Sequence, residues 1–519
     1  MLLSFLILEA AAFSTHPCGT PSRLSITVAT PLDIVSPPTT DLVDQESHGT
    51  IDNVVYSDRF ALKWGPDLTL SDEEINRILG DFAFARDTQS GAWEMNDPTG
   101  YGGTYFNVYI GDTGGVVPSV LGNAGYYTLD GAGYPMIVLN KSMVDDAPYM
   151  RSVIVHEFFH AVQHSHEAYF YEDTGLWYWE TTASWAQGLA VPESSAFYSF
   201  LPWYALQPQA GLYHHSMDEF GGQPPDLHQY GAFIFPWYIS EELLVPEAVL
   251  ASWRVGSVSD DPLRILESIL TEDVVAEALA QHAARSLTWD YLRGDEFQAH
   301  VEGWASHMSE HDHRLTEFIP HSEPDFYTIP EDRWPRAAGY AVMKIPDGSV
   351  TAANYLTVLL ERDEAAVHPS ASPDPELAAV VVDLTAEGPV YHSVRRDIPH
   401  TNIWLEDGTD VWLAVANTGL LEDAYHPTPF KVSFLPLPDA PEPGDTGDPP
   451  EPEDPEDPQD PEGPEEPETP PTTGDSYVVP EAEGDDKGGG GCAHVSPHPA
   501  GLLIVFALLG RRRSDNRGQ

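Results

Sequence analysis

The stretch His156-Glu157-Phe158-Phe159-His160 constrains this 519-residue chain more than any other, because two imidazoles four residues apart on a helix lie on one face and can share a metal ion. The surrounding sequence predicts that helix. Asp146 suits an N-cap, Pro148 falls in the first turn, and Met150, Ile154, Phe158 and Ala161 recur as one apolar stripe beside the two histidines. Glu157 stands about 100° round from His156, where its carboxylate reaches a water on the metal without being a ligand. A second segment, Leu176 to Ala190, reads as a helix entered through Thr174 and stopped by Gly188 and Pro192, with Glu180 inside its apolar face. A buried carboxylate needs a counter-charge, and a divalent ion brought by the preceding helix supplies one. A mixed imidazole and carboxylate set without a thiolate favours zinc.

His156, His160 and Glu180, with nineteen residues between the last two, reproduce an arrangement that resembles the gluzincin metallopeptidases of the thermolysin kind. The resemblance spans residues 136 to 190. It implies that these three side chains hold one zinc ion per chain and that Glu157 is the general base and acid. It also implies a His or Tyr, from beyond the third ligand, that donates to the oxyanion. In His228-Gln229-Tyr230-Gly231 a hydrogen-bonding pair precedes an apolar helix, which makes Tyr230 the first choice and His228 the second, with His214 and His215 as alternatives. By the same resemblance an edge strand borders the cleft and pairs with the peptide backbone. Pro135 to Asn140 is the candidate for that role, with an ordinary buried core strand as the other reading.

The remaining chain predicts an α+β protein in several parts. Residues 1 to 15 read as a signal segment, with an apolar run, no basic residue before it and Glu9 inside it, so that a misplaced start codon is the other explanation. Residues 16 to 56, rich in Thr, Ser, Pro and Asp, form a connector or pro-segment. Within it, His16-Pro17-Cys18-Gly19-Thr20-Pro21 looks like the cysteine switch of matrix metalloproteases, and an incidental unpaired thiol is the plainer reading. Residues 57 to 317 make the zincin-like domain: Phe60 to Trp64 and Tyr105 to Ile110 alternate as strands, Ser71 with Glu74 spells a capping box, and residues 192 to 316 are helical by period. Residues 318 to 438 carry short β-rich runs, at Tyr340, Tyr355, Ala379, Val411 and Phe430, that predict a small β-sandwich without a catalytic constellation, a packing module first and a substrate-binding one as the other reading.

Residues 439 to 491 are a Pro, Glu and Asp tract that cannot bury enough apolar surface to fold, and so a disordered spacer is expected. Residues 492 to 519 hold Cys492, the apolar run from Leu502 and Arg511-Arg512-Arg513. Together with the glycines before Cys492, they resemble the C-terminal sorting signals of myxobacterial surface proteins. That implies export, display at the cell surface or outer membrane, and processing at Cys492, a simple tail anchor being the other reading. The net charge of −58 excludes nucleic acid as a partner. It also offers calcium sites at Asp145-Asp146 or Glu172-Asp173, against plain surface solvation. The two cysteines at opposite ends exclude a disulfide framework. The sequence thus points to a secreted, surface-tethered zinc endopeptidase acting on proteins or peptides. An adhesion protein that keeps the scaffold without turnover, or an aminopeptidase, is the rival.

Overall fold

The computed structural model describes residues 42–120, 123–170, 175–214, 227–305, 315–367, 376–395, 400–419 and 426–434. The signal segment, Cys18, Glu172-Asp173, Thr174, His215, the acidic spacer and the whole C-terminal tail lie outside them. The described chain is α+β and packs around one long core.

The first sheet contains β1 (Asn53–Tyr56), β2 (Phe60–Trp64), β3 (Phe106–Gly111), β4 (Gly125–Leu129) and β5 (Pro135–Asn140), in the order β1-β2-β3-β5-β4. Its central strands β2, β3 and β5 run parallel and are buried on both faces, as parallel strands usually are. Both hairpin-like partners, β1 and β4, pair antiparallel at the edges. The expectation that Pro135 to Asn140 is the edge strand is therefore corrected: β5 lies between β3 and β4, and β4 is the edge. On one face Lys63 reaches Asp44 and Glu46 at 2.7 and 2.9 Å, which ties residues 42–52 across the sheet.

The other face receives two helices. Helix α1 (Asp72–Arg86) begins with the reciprocal Ser71 and Glu74 capping box. Helix α2 (Ala147–Ser165) begins where the Asp146 side chain accepts the Tyr149 N–H, with Pro148 in its first turn. Phe158 of α2 packs its ring 6.0 and 5.8 Å from Phe60 and Phe106 of the sheet. The apolar stripe thus faces the strands and turns the two histidines toward α3 (Leu176–Ala190). Gly188 does not stop α3; it lies inside the helix, where an added Cβ would come within 2.8 Å of the Phe197 and Trp237 rings.

Seven further helices follow: α4 (Leu201–Ala205), α5 (Leu227–Gly231), α6 (Ile234–Glu241), α7 (Pro246–Val255), α8 (Pro262–Leu270), α9 (Glu272–Thr288) and α10 (Gly294–Ala305). The remaining strands are β6 (Ile319–Pro320), β7 (Tyr327–Thr328), β8 (Tyr340–Lys344), β9 (Tyr355–Arg362), β10 (Leu377–Thr385), β11 (Gly388–Val394), β12 (Thr401–Trp404), β13 (Val411–Asn417) and β14 (Phe430–Phe434). They make two sheets, β11-β10-β13-β8 and β12-β9-β14-β7-β6. Between the sheets lie Met343, Val358, Val381, Leu413 and Val432. The alternate residues Val342, Val380, Val382 and Ala414 face the other way and join the core of the helical region through α9. The four-stranded sheet is thereby covered on both sides, and a single apolar core runs from the first sheet into the sandwich.

Candidate metal centre

Helices α2 and α3 bring His156, His160 and Glu180 together, and all three are buried. The Nε2 of His156 lies 3.0 Å from Glu180 Oε2, the Nε2 of His160 lies 3.4 Å from the same oxygen, and the two Nε2 atoms are 3.2 Å apart. Bonds of about 2.1 Å in a tetrahedral zinc site place neighbouring ligand atoms roughly 3.4 Å apart, so the three separations fit one shared ion. Among the described residues this is the one group of three such side chains able to do so. The other oxygen, Glu180 Oε1, is buried with no hydrogen-bond partner, and an orphaned carboxylate oxygen in the core requires a cation or a proton.

The electrostatics agree. Burial pushes the Glu180 carboxyl up, but the charge of His160 and the hydrogen bonds from both imidazoles outweigh it and hold the group well below the usual carboxylate range. Burial pulls His160 down, and Glu180, with help from Glu157 and Gln163, carries it above its ordinary value. A carboxylate this deep keeps its charge only beside a positive partner, and a metal ion held by the two imidazoles would supply the same charge.

Gln163, one turn past His160, is part of the site and was not foreseen. Its Oε1 accepts from His160 Nδ1 at 2.7 Å, while its Nε2 donates to the Trp179 carbonyl and to Thr182 Oγ1, both at 2.9 Å. The Thr182 hydroxyl itself donates to the Tyr178 carbonyl at 2.6 Å, so its oxygen faces Gln163 as an acceptor and the amide has one orientation. His160 must then carry its proton on Nδ1, leaving the Nε2 lone pair for a metal. The available signal was His160-x-x-Gln163, an i, i+3 pair on one helical face.

Glu157 is buried and lines the same hollow as His156, and it is close to the edge strand: a Cβ on Gly125 of β4 would stand 3.2 Å from its Cγ and 3.3 Å from its Oε1. Glycine at this position lets the strand approach the carboxylate. Tyr230 stacks its ring on His156, 5.9 Å between centroids at 16°. His228, two residues earlier on α5, packs instead against Tyr204 and His214 at 5.0 and 5.3 Å. Two residues on a helix point about 200° apart, so the same turn that aims Tyr230 at the metal ligands aims His228 away, and His228 and His214 are not brought into the site. Asp146, offered as part of a calcium site, is occupied in capping α2.

A hollow opens next to these groups between α2, α3 and residues 196–200, and Tyr149, Val153, Phe197 and Phe200 wall it. No described helix is long and apolar enough to cross a membrane.

A family model described as "Family of unknown function (DUF6055)" matches residues 129–396, more than half of the chain, and its span takes in every residue of this centre. No curated protein matches.

Proposed function

The chain belongs to the DUF6055 family of unknown function, and we propose that it is a zinc-dependent endopeptidase with a zincin-like fold, exported and held at the cell surface by its C-terminal segment. One observation carries the reading: three buried atoms able to ligate a metal, His156 Nε2, His160 Nε2 and Glu180 Oε2, stand 3.0 to 3.4 Å apart on consecutive helices, with the second oxygen of Glu180 buried and without a hydrogen-bond partner. Glu157 supports it as the group next to, but outside, the ligand set.

When bound, zinc polarises the scissile carbonyl and makes water acidic enough to attack at neutral pH. His156, His160 and Glu180 would hold it, and Gln163 keeps His160 in the tautomer that would coordinate. Glu157 takes a proton from the attacking water as the new C–O bond forms, and returns it to the amide nitrogen as the C–N bond breaks. The Tyr230 hydroxyl is the donor that steadies the oxyanion. Edge strand β4 carries the substrate backbone past Glu157, its Gly125 allowing close approach.

The test is peptide hydrolysis by zinc-loaded protein set against Glu157→Gln. Wild-type turnover with loss of at least about a thousandfold in the variant, while one zinc per chain stays bound, is the expected result. Undiminished cleavage by Glu157→Gln would refute the assigned base.

A further inference from the structure

The hollow beside Glu157 differs from an open cleft in one respect, its size. It holds about 30 Å³, against roughly 10–15 Å³ for a single water and about 150 Å³ for a cavity that takes benzene. Its walls are also fixed to different degrees. Phe197 is buried, stacked on Trp237 at 5.2 Å and 18°, and packed over the helical Gly188. Val153 is locked on α2. At the floor, Gln187 donates to Ser152 Oγ at 2.8 Å, and Ser184 stands one turn above Gln187 on the face of α3 that also presents Glu180. Phe200, like Tyr149 and Ala196, is partly exposed, and its ring leans on Tyr230 at 5.5 Å.

We infer that this hollow selects the substrate residue that supplies the leaving nitrogen, and that it takes a small side chain, that of glycine, alanine or serine. The inference rests on the peptidase reading above. Glu157 lines the hollow and must reach the leaving nitrogen to protonate it, so the side chain nearest to it belongs to the residue bearing that nitrogen. On that scale the hollow has room for about two water-sized groups, enough for a methyl or hydroxymethyl side chain; a leucine or phenylalanine side chain does not enter unless a wall moves. Ser184 Oγ at the floor gives a hydroxyl a partner that a purely apolar hollow lacks. Phe200 sets the upper limit on size.

The experiment uses the full chain loaded with zinc and a peptide series varied only at the residue after the cut bond. The expected result is a kcat/KM at least about tenfold higher for alanine or serine than for leucine or phenylalanine, since a misfit of a few methylenes is worth that much or more. Phe200→Ala is expected to raise the leucine-to-alanine ratio by about tenfold, and Ser184→Val, which fills the floor, to lower the alanine-to-glycine ratio. A wild-type preference for bulky residues at this position, or a ratio that neither variant moves, overturns the assignment while leaving the peptidase intact. Failure to cut any peptide in the series overturns both readings.

Discussion

Gln163 receives the Nδ1 proton of His160 at 2.7 Å, and because its amide nitrogen is fixed by the Trp179 carbonyl and Thr182 it cannot turn over to offer a donor. The tautomer of His160 is thus set by the neighbouring helix, through one amide.

It follows that Gln163→Leu weakens zinc binding by about 10- to 100-fold, the usual effect of removing a partner behind a metal-bound histidine. Competition with a chromophoric chelator measures it directly. Unchanged affinity in a folded variant would mean that His160 finds its orientation without the amide.

Removing the metal is expected to lower thermal stability, because three buried polar groups lose the ion that reconciles them. Restoring zinc at a hundredfold excess over its dissociation constant returns about 2.7 kcal/mol. Dialysis against a chelator, then a thermal melt with and without zinc, reads the shift. Glu180→Gln should abolish the zinc-dependent part, and a full shift in that variant would contradict its place among the ligands.

Gly188→Ala places a methyl group 2.8 Å from the rings of Phe197 and Trp237, both held in the core. Overpacking of this kind costs about 1–3 kcal/mol, against the small gain in helix propensity from replacing glycine. A denaturant melt should therefore show net destabilisation; a more stable variant would mean that these rings give way easily.

Acid sensitivity should come from buried neutral histidines. Burial pushes His282 down to about 3, where its ring sits between the hydroxyls of Tyr204 and Tyr291 at 3.0 and 3.1 Å. The unfolded chain takes up this proton below about pH 6.5 and the folded chain only near 3. The histidine's contribution is therefore intact above about 6.5 and declines as pH falls toward 3. His166, pushed down to about 4 by burial and by Arg254, acts with the same sign. Stability measured in urea from pH 7 to 5 should fall, and His282→Gln should flatten that fall by about one proton's worth of slope. An identical slope in the variant would remove His282 from the account.

Helix α2 was legible because its cap, first-turn proline, apolar stripe and paired histidines all follow the same 3.6-residue period. Glu180 was legible as a lone charge in an apolar face. What stayed hidden depended on neighbours distant in sequence. A fully buried strand reads alike whether it is central or at an edge, so the sequence left β5 open between an edge strand and a core strand, and the structure puts β4 at the edge. Gly188 carries a helix-stop signal, yet the aromatic rings packed over it keep α3 going to Ala190. Gln163 looked like an ordinary polar residue until Trp179 and Thr182 came into contact with it.

The four-stranded sheet, filled on one side by its sister sheet and on the other by α9, ties the fate of the half that carries the histidine and glutamate cluster to that of the sandwich. A chain ending near residue 317 would leave α9 with a bare greasy flank where Val380, Val382 and Ala414 had been. Such a fragment is expected to clump or be degraded rather than cut peptides, and the intact protein to melt in one step.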